Sequence, residues 1–274
     1  MSNRSNMLSN KSFRYILIGL VMFALVVPVF ATPVPIICTP GNKLEYDRWK
    51  LLNASIQIGG KTVATMYDTS SGSSVYEVIS QDEGASTVVY NYRETLDMKS
   101  TSGSNSTDRS DLKITSGPDG LHILSIVEDS AGESEPDNQT YDPPLFYFNT
   151  VAANSGKSWD VGMMRTGDIK AFVSAKGAGK EAVTVPAGTF KDCLKLVYTS
   201  DDISGTVDMW GKTFTITSGH RRGTYWIADG VGVVKEMEVV TSGAEGTGPD
   251  GKPVQLNTSL CSIGELKPGY VVKK

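Results

Sequence analysis

Alternation of apolar and polar side chains with a period of two constrains this chain more than any other feature. It is clearest where Val88, Tyr90, Tyr92, Leu96 and Met98 all fall on even positions, interrupted only by Glu94. Successive strand residues face opposite ways, so such a run predicts a long strand with one buried face. No segment after residue 31 keeps a 3.6-residue period over a dozen residues, which leaves room for one short helix or turn near Tyr46–Asn53. Gly59-Gly60 within Ile56–Met66 reads as a two-residue hairpin turn. Gly117-Pro118-Asp119-Gly120 divides strands expected at Leu112–Thr115 and Leu121–Val127. Val75–Ile79, Val183–Val185, Cys193–Tyr198, Phe214–Ile216, Thr224–Ala228 and Val231–Val240 are further strand candidates. Three stretches read as loops: Ser/Thr-rich Lys99–Asp111, acidic Glu128–Asp142 and Gly-rich Ser242–Lys252.

The expected fold is therefore all-β: a curved antiparallel sheet, a half-barrel or a sandwich, following an N-terminal signal helix. Pro40-Gly41-Asn42-Lys43-Leu44-Glu45-Tyr46 is echoed by Ser155-Gly156-Lys157-Ser158-Trp159-Asp160, which suggests two related halves divided near residue 145. Residues 32–274 are read as a single exported domain.

The chain starts with Arg4, Lys11 and Arg14 and no acid, followed by the uncharged stretch Tyr15–Ala31. A basic segment, a short apolar segment and a small-residue end predict a secretory signal over residues 1–31, cut after Ala31. The alternative is a retained membrane anchor. Either places the rest of the chain outside the cytoplasm: periplasmic, cell-surface or secreted. Cys38 follows soon after, but Ile37 before it does not suit lipidation. The net charge is −4, from 26 Lys and Arg against 30 Asp and Glu; without the signal it is 23 against 30, or −7. An acidic chain gains nothing from phosphate counterion release, so nucleic acid is not an expected partner.

The cysteines Cys38, Cys193 and Cys261 lie far apart, without metal-type spacing; at most one disulfide joins them, and any of the three pairings is open. Only His122 and His220 are available to partner a nucleophile, and no GxSxG or phosphate-binding loop is present. No catalytic residue, metal site or cofactor is expected. The acidic segment lacks the spacing of a calcium loop. Asn53, Asn105, Asn138 and Asn257 open glycosylation sequons.

Four segments carry a family resemblance. Val183–Leu196 holds VPAGTF-x-DC, and Thr224–Lys235 reads TYWIADGVGVVK. The opening PGNKLEY at Pro40–Tyr46 and GKSW at Gly156–Trp159 complete the set. Together they resemble the TapB-like group, a domain-of-unknown-function family of exported prokaryotic β-sheet proteins. The likeness spans roughly residues 40–241; Leu44 and Asp229 depart from its usual Trp and Pro. It implies a β-rich exported fold and no catalytic residues. Within the motif, Pro186 and Gly188 are expected to make a tight turn, Phe190 to anchor it, Asp192 to cap backbone N–H groups, and Cys193 to enter the core.

The functional expectation is an exported, non-enzymatic envelope or surface protein that binds a lipid or other apolar ligand on a concave sheet. Trp159, Trp210, Tyr225 and Trp226 are the candidate ligand-binding residues. The alternative is a structural or interaction protein with a filled core, its partner an envelope component. An envelope hydrolase ranks behind both.

Overall fold

The computed structural model describes residues 39–83, 88–117, 119–130, 135–209, 212–248 and 251–272. The expected signal, Cys38 and Trp210 lie outside them. The described chain is all-β, with thirteen strands and one short helix. In chain order the strands are β1 Lys43–Ile58, β2 Lys61–Glu83, β3 Val88–Ser100, β4 Asn105–Ser116, β5 Gly120–Ser130 and β6 Asp137–Asn149. Helix α1, Thr150–Ser155, follows. Then come β7 Ser158–Thr166, β8 Ile169–Val185, β9 Gly188–Ser200, β10 Thr206–Met209, β11 Lys212–Ala228, β12 Gly232–Thr247 and β13 Pro253–Leu266.

All strands belong to one sheet of order β6-β5-β4-β3-β2-β1-β13-β12-β11-β9-β8-β7, with β10 paired to β11 beyond the end of β9. Two meanders, β1–β6 and β7–β13, therefore join edge to edge through the antiparallel β1–β13 ladder. The two echoed segments open them: one leads into β1, the other into β7. Strand twist and repeated register shifts curl the sheet until β6 and β7 face each other. Among the described residues no backbone ladder crosses that seam. Trp159 Nε1 donates to Phe146 O at 3.1 Å, and Gly167 N donates to Asp137 Oδ2 at 2.8 Å. Pro143 and Pro144 sit in β6, an edge strand that tolerates a missing N–H donor.

The period-two reading holds. In β3 the even residues Tyr92, Glu94, Leu96, Met98 and Ser100 are buried. In β1 the even residues Leu44, Tyr46, Arg48, Leu52, Ala54 and Ile56 face inward, and Trp49, Leu51 and Asn53 face out. Gly59 and Gly60 close the β1–β2 hairpin at φ 57° and 76°, a turn that needs two left-handed residues.

Four expectations are corrected. Tyr46–Asn53 is strand, not helix, because its alternation matches a sheet with one buried face. The helix forms at Thr150–Ser155 instead, where Asn149 Oδ1 accepts from Ala152 N at 2.8 Å and Gly156 ends it at φ 71°. Lys99–Asp111 turns only at 101–104 and continues as β4, and Gly-rich Ser242–Thr247 prolongs β12. The acidic stretch supplies the end of β5 and the first half of β6. Polar composition does not prevent pairing where neighbouring strands satisfy the backbone and alternate side chains reach solvent.

Candidate functional site

The inner face of the barrel divides into two zones. One end is a packed aromatic core. Tyr198 stacks on Tyr147 at 5.4 Å between centroids and meets Trp159 and Tyr225 edge-on at 6.2 and 5.4 Å. The Tyr198 hydroxyl donates to Tyr147 O at 3.0 Å, and Tyr46 Oη donates to Val233 O at 2.7 Å. Burial holds the Tyr46 and Tyr198 hydroxyls far above the usual tyrosine range. Trp159 and Tyr225 thus serve as core around Tyr198. Trp226 lies elsewhere: its ladder partners are Lys195 and Lys235, its indole N–H donates to Glu181, and Lys195 Nζ lies 5.2 Å from its ring centroid. No single site unites the three.

The second zone is a buried charge network. Arg48 reaches Ser74 Oγ and Tyr76 Oη, each at 2.6 Å, lies 3.4 Å from Glu94, and pairs with Glu236. A Cβ on Gly264 would lie 2.5 Å from Arg48 Nη1, so glycine there makes room for the pair. Arg221 pairs with Glu238 and contacts Met164 Sδ at 3.9 Å. Desolvation pushes the Glu94 and Glu238 carboxyls above the usual range, against the pull of Arg48 and Arg221 respectively. Lys50 keeps partial solvent contact. Its ammonium is nevertheless surrounded closely enough that desolvation lowers its pKa to about 8, against the attraction of Asp108, Glu94 and Glu238. The sequence signal for this network was Glu94 itself, the one acid that breaks the β3 alternation.

The motif residues lie at the β8–β9 hairpin. Pro186 and Ala187 form the turn, Gly188 leaves it at φ 129°, and Ala187 N donates to Leu266 O at 2.9 Å. Phe190 packs on Tyr270 at 6.5 Å between centroids. Asp192 is in the left-handed region at φ 56°, at the register shift that turns Cys193 and Leu194 into the core. Cys193 is buried and Cys261 half-buried, and neither is disulfide-bonded. Burial pushes both thiols up, away from the reactive thiolate. His122 stacks on Phe146 and lies 3.3 Å from Asp119. Among the described residues no group of three or more His, Cys, Asp or Glu is placed to hold a metal.

Sequence reasoning missed a groove of ≈ 750 Å³ on the outer face, where β13, β1 and β2 run beside the β3–β4 turn. Its lining includes Trp49, Leu51, Tyr67, Lys99, Cys261 and Ile263. Trp49 is 44% exposed, Leu51 38% and Tyr67 70%. Neither the Trp49 indole N–H nor the Tyr67 hydroxyl makes a hydrogen bond within the described residues. The available signal was that Trp49 and Leu51 occupy odd positions, the wrong phase for a β1 whose even side chains fill the core.

No family model matches the chain, and no curated protein matches it. Three solved structures are similar. An exported-protein candidate with a YmcC-like fold from Bacteroides fragilis has a TM-score of 0.31 at 15% identity, covering 90% of this chain and 100% of its own. A lipoprotein candidate from Parabacteroides distasonis has a TM-score of 0.35 at 16% identity, covering 88% and 99%. DynF, from the dynemicin biosynthesis pathway of Micromonospora chersina, has a TM-score of 0.26 at 13% identity, covering 90% and 87%. At these scores the likeness assigns neither family nor function to this chain.

Proposed function

We propose that this chain is an exported, non-catalytic envelope or surface protein that binds an apolar ligand on the outer face of its barrel. The observation that carries this reading is the solvent-exposed set Trp49, Leu51 and Tyr67 lining the ≈ 750 Å³ groove. A groove of that size is in the range that holds a small ligand. Burial of apolar surface contributes about 25 cal/mol per Å² before the cost of ordering the ligand. The concave face is a poorer host, because aromatic core and paired charges occupy it. Export rests on the basic and then apolar pattern of residues 1–31. Absence of catalysis is supported by the inner acids Glu94, Glu236 and Glu238 lying beside arginines rather than facing a cleft.

The packed cluster around Tyr198 favours a second reading, a structural or interaction protein with a filled core. A neutral naphthylamine dye that fluoresces in apolar surroundings separates the two. The binding reading expects saturable dye binding that Leu51→Asp weakens roughly tenfold, the loss expected when a ~1.4 kcal/mol apolar contact is removed. Dye binding that ignores Leu51→Asp, or no binding, returns the structural reading.

A further inference from the structure

The ladder registers arrange the groove as a gradient. On one row, half-buried Met237 of β12, beside the groove, pairs with Ile263, Ile263 with Trp49, Trp49 with Ser71, and Ser71 with Lys99. On the next row, Val239 pairs with Cys261, Cys261 with Leu51, and Leu51 with Thr69, whose carbonyl accepts from Thr101 N at 2.8 Å. Both rows run in the same order across β12, β13, β1, β2 and β3: apolar, apolar, apolar, hydroxyl, then lysine or threonine. Strands lie about 4.8 Å apart, so the apolar part extends about 10 Å and Lys99 stands about 10 Å beyond Trp49.

Charge points the same way. The chain carries more acids than bases, yet no carboxylate lines the groove, whereas two lysines, Lys50 and Lys99, do; the charge of Lys50 is drawn to Asp108, Glu94 and Glu238, which leaves Lys99 to meet a ligand. Lys99 is exposed and forms no ion pair within the described residues. The nearest outward acid on its strand, Asp97, accepts from Thr107 Oγ1 at 2.6 Å. Asp68, beside the turn, accepts from Ser100 and Thr101 hydroxyls.

We infer that the groove takes a long-chain anionic amphiphile, a fatty-acid-like carboxylate, with its chain across β1, β13 and β12 and its head group at Lys99. The inference rests on the apolar-ligand reading above and adds the charge and direction of the ligand. Trp49 suits the junction, since an amphipathic ring presents an apolar body and a free N–H.

Displacement of the neutral dye from the full-length protein tests it, with dodecanoate compared against dodecan-1-ol at one ionic strength. Dodecanoate should displace the dye at roughly threefold to fivefold lower concentration, the gain of one partly exposed ion pair. Lys99→Gln should erase that preference, read as the ratio of the two displacement concentrations in the same variant, and Lys99→Arg should keep it. Equal displacement by the two compounds, or a preference that survives Lys99→Gln, overturns the inference while the apolar-ligand reading stands. Failure of the dye to bind, or binding indifferent to Leu51→Asp, overturns both.

Discussion

At the scale of single residues, Arg48 is the side chain on which the inner network depends. It faces Glu94 and Glu236 and bonds Ser74 and Tyr76 in a site closed to water. Removing one partner of a buried ion pair strands the other charge. Arg48→Met is therefore expected to lower unfolding stability by about 3–5 kcal/mol in urea titration, with the fold retained by circular dichroism. Glu94→Gln should cost far less, because burial already disfavours its charged form and Glu236 still faces Arg48. Lys50 gives a pH signature. Its folded pKa, about 8, lies below the ordinary 10.5. Below about 8 both folded and unfolded chains hold the proton, and the cost of burying the charge is felt in full. Between about 8 and 10.5 the unfolded chain binds more protons, so stability rises with pH. That rise should be present in the wild type relative to Lys50→Met; parallel stability curves across this window would show that burial does not penalise the ammonium.

At the scale of elements, local sequence and sheet context compete. Asn149 and Gly156 cap a six-residue helix that no 3.6-residue pattern announces. A helix this short has no stability of its own; its caps and the packing of Ala152 and Ala153 hold it. Asn149→Ala should lower the melting temperature by an amount equivalent to about 1 kcal/mol, whereas Asn154→Ala, whose side chain bonds only Thr150 O, should change it little. The hairpin at Gly59-Gly60 and the alternation of β3 were legible because turn chemistry and side-chain period are local properties. β4 and the acidic end of β5 were not, because their strand state comes from neighbours on both sides, which composition does not report.

At the scale of the whole molecule, the barrel is continuous everywhere except between β6 and β7. Among the described residues only hydrogen bonds with a side-chain partner span that seam, including Trp159 to Phe146 and Gly167 to Asp137. The β1–β13 ladder, by contrast, joins the first and last strands in continuous register from Tyr46–Leu266 to Ile58–Val254. Local opening should follow this difference. In hydrogen–deuterium exchange, amides on the free edges of β6 and β7 should exchange first and those of β1 and β13 last. Exchange that starts at β1 would mean the two meanders separate before the seam opens.

Period two and turn chemistry determined, from the sequence alone, that this chain is all-β and which phase of each clear strand is buried, since both depend on residues a few positions apart. They did not show that Trp159 and Tyr225 would meet as packed core, nor that Trp49 and Tyr67 would face outward. Register between distant strands decided the rest. Arg48 reaches Glu94 across 46 positions, and Tyr46 bonds Val233 across 187. The groove exists because β13, β1, β2 and β3 align Ile263, Trp49, Ser71 and Lys99 in one row. Such alignment is a property of the strand pairing, since each of those residues taken alone reads as an ordinary outward position on its own strand.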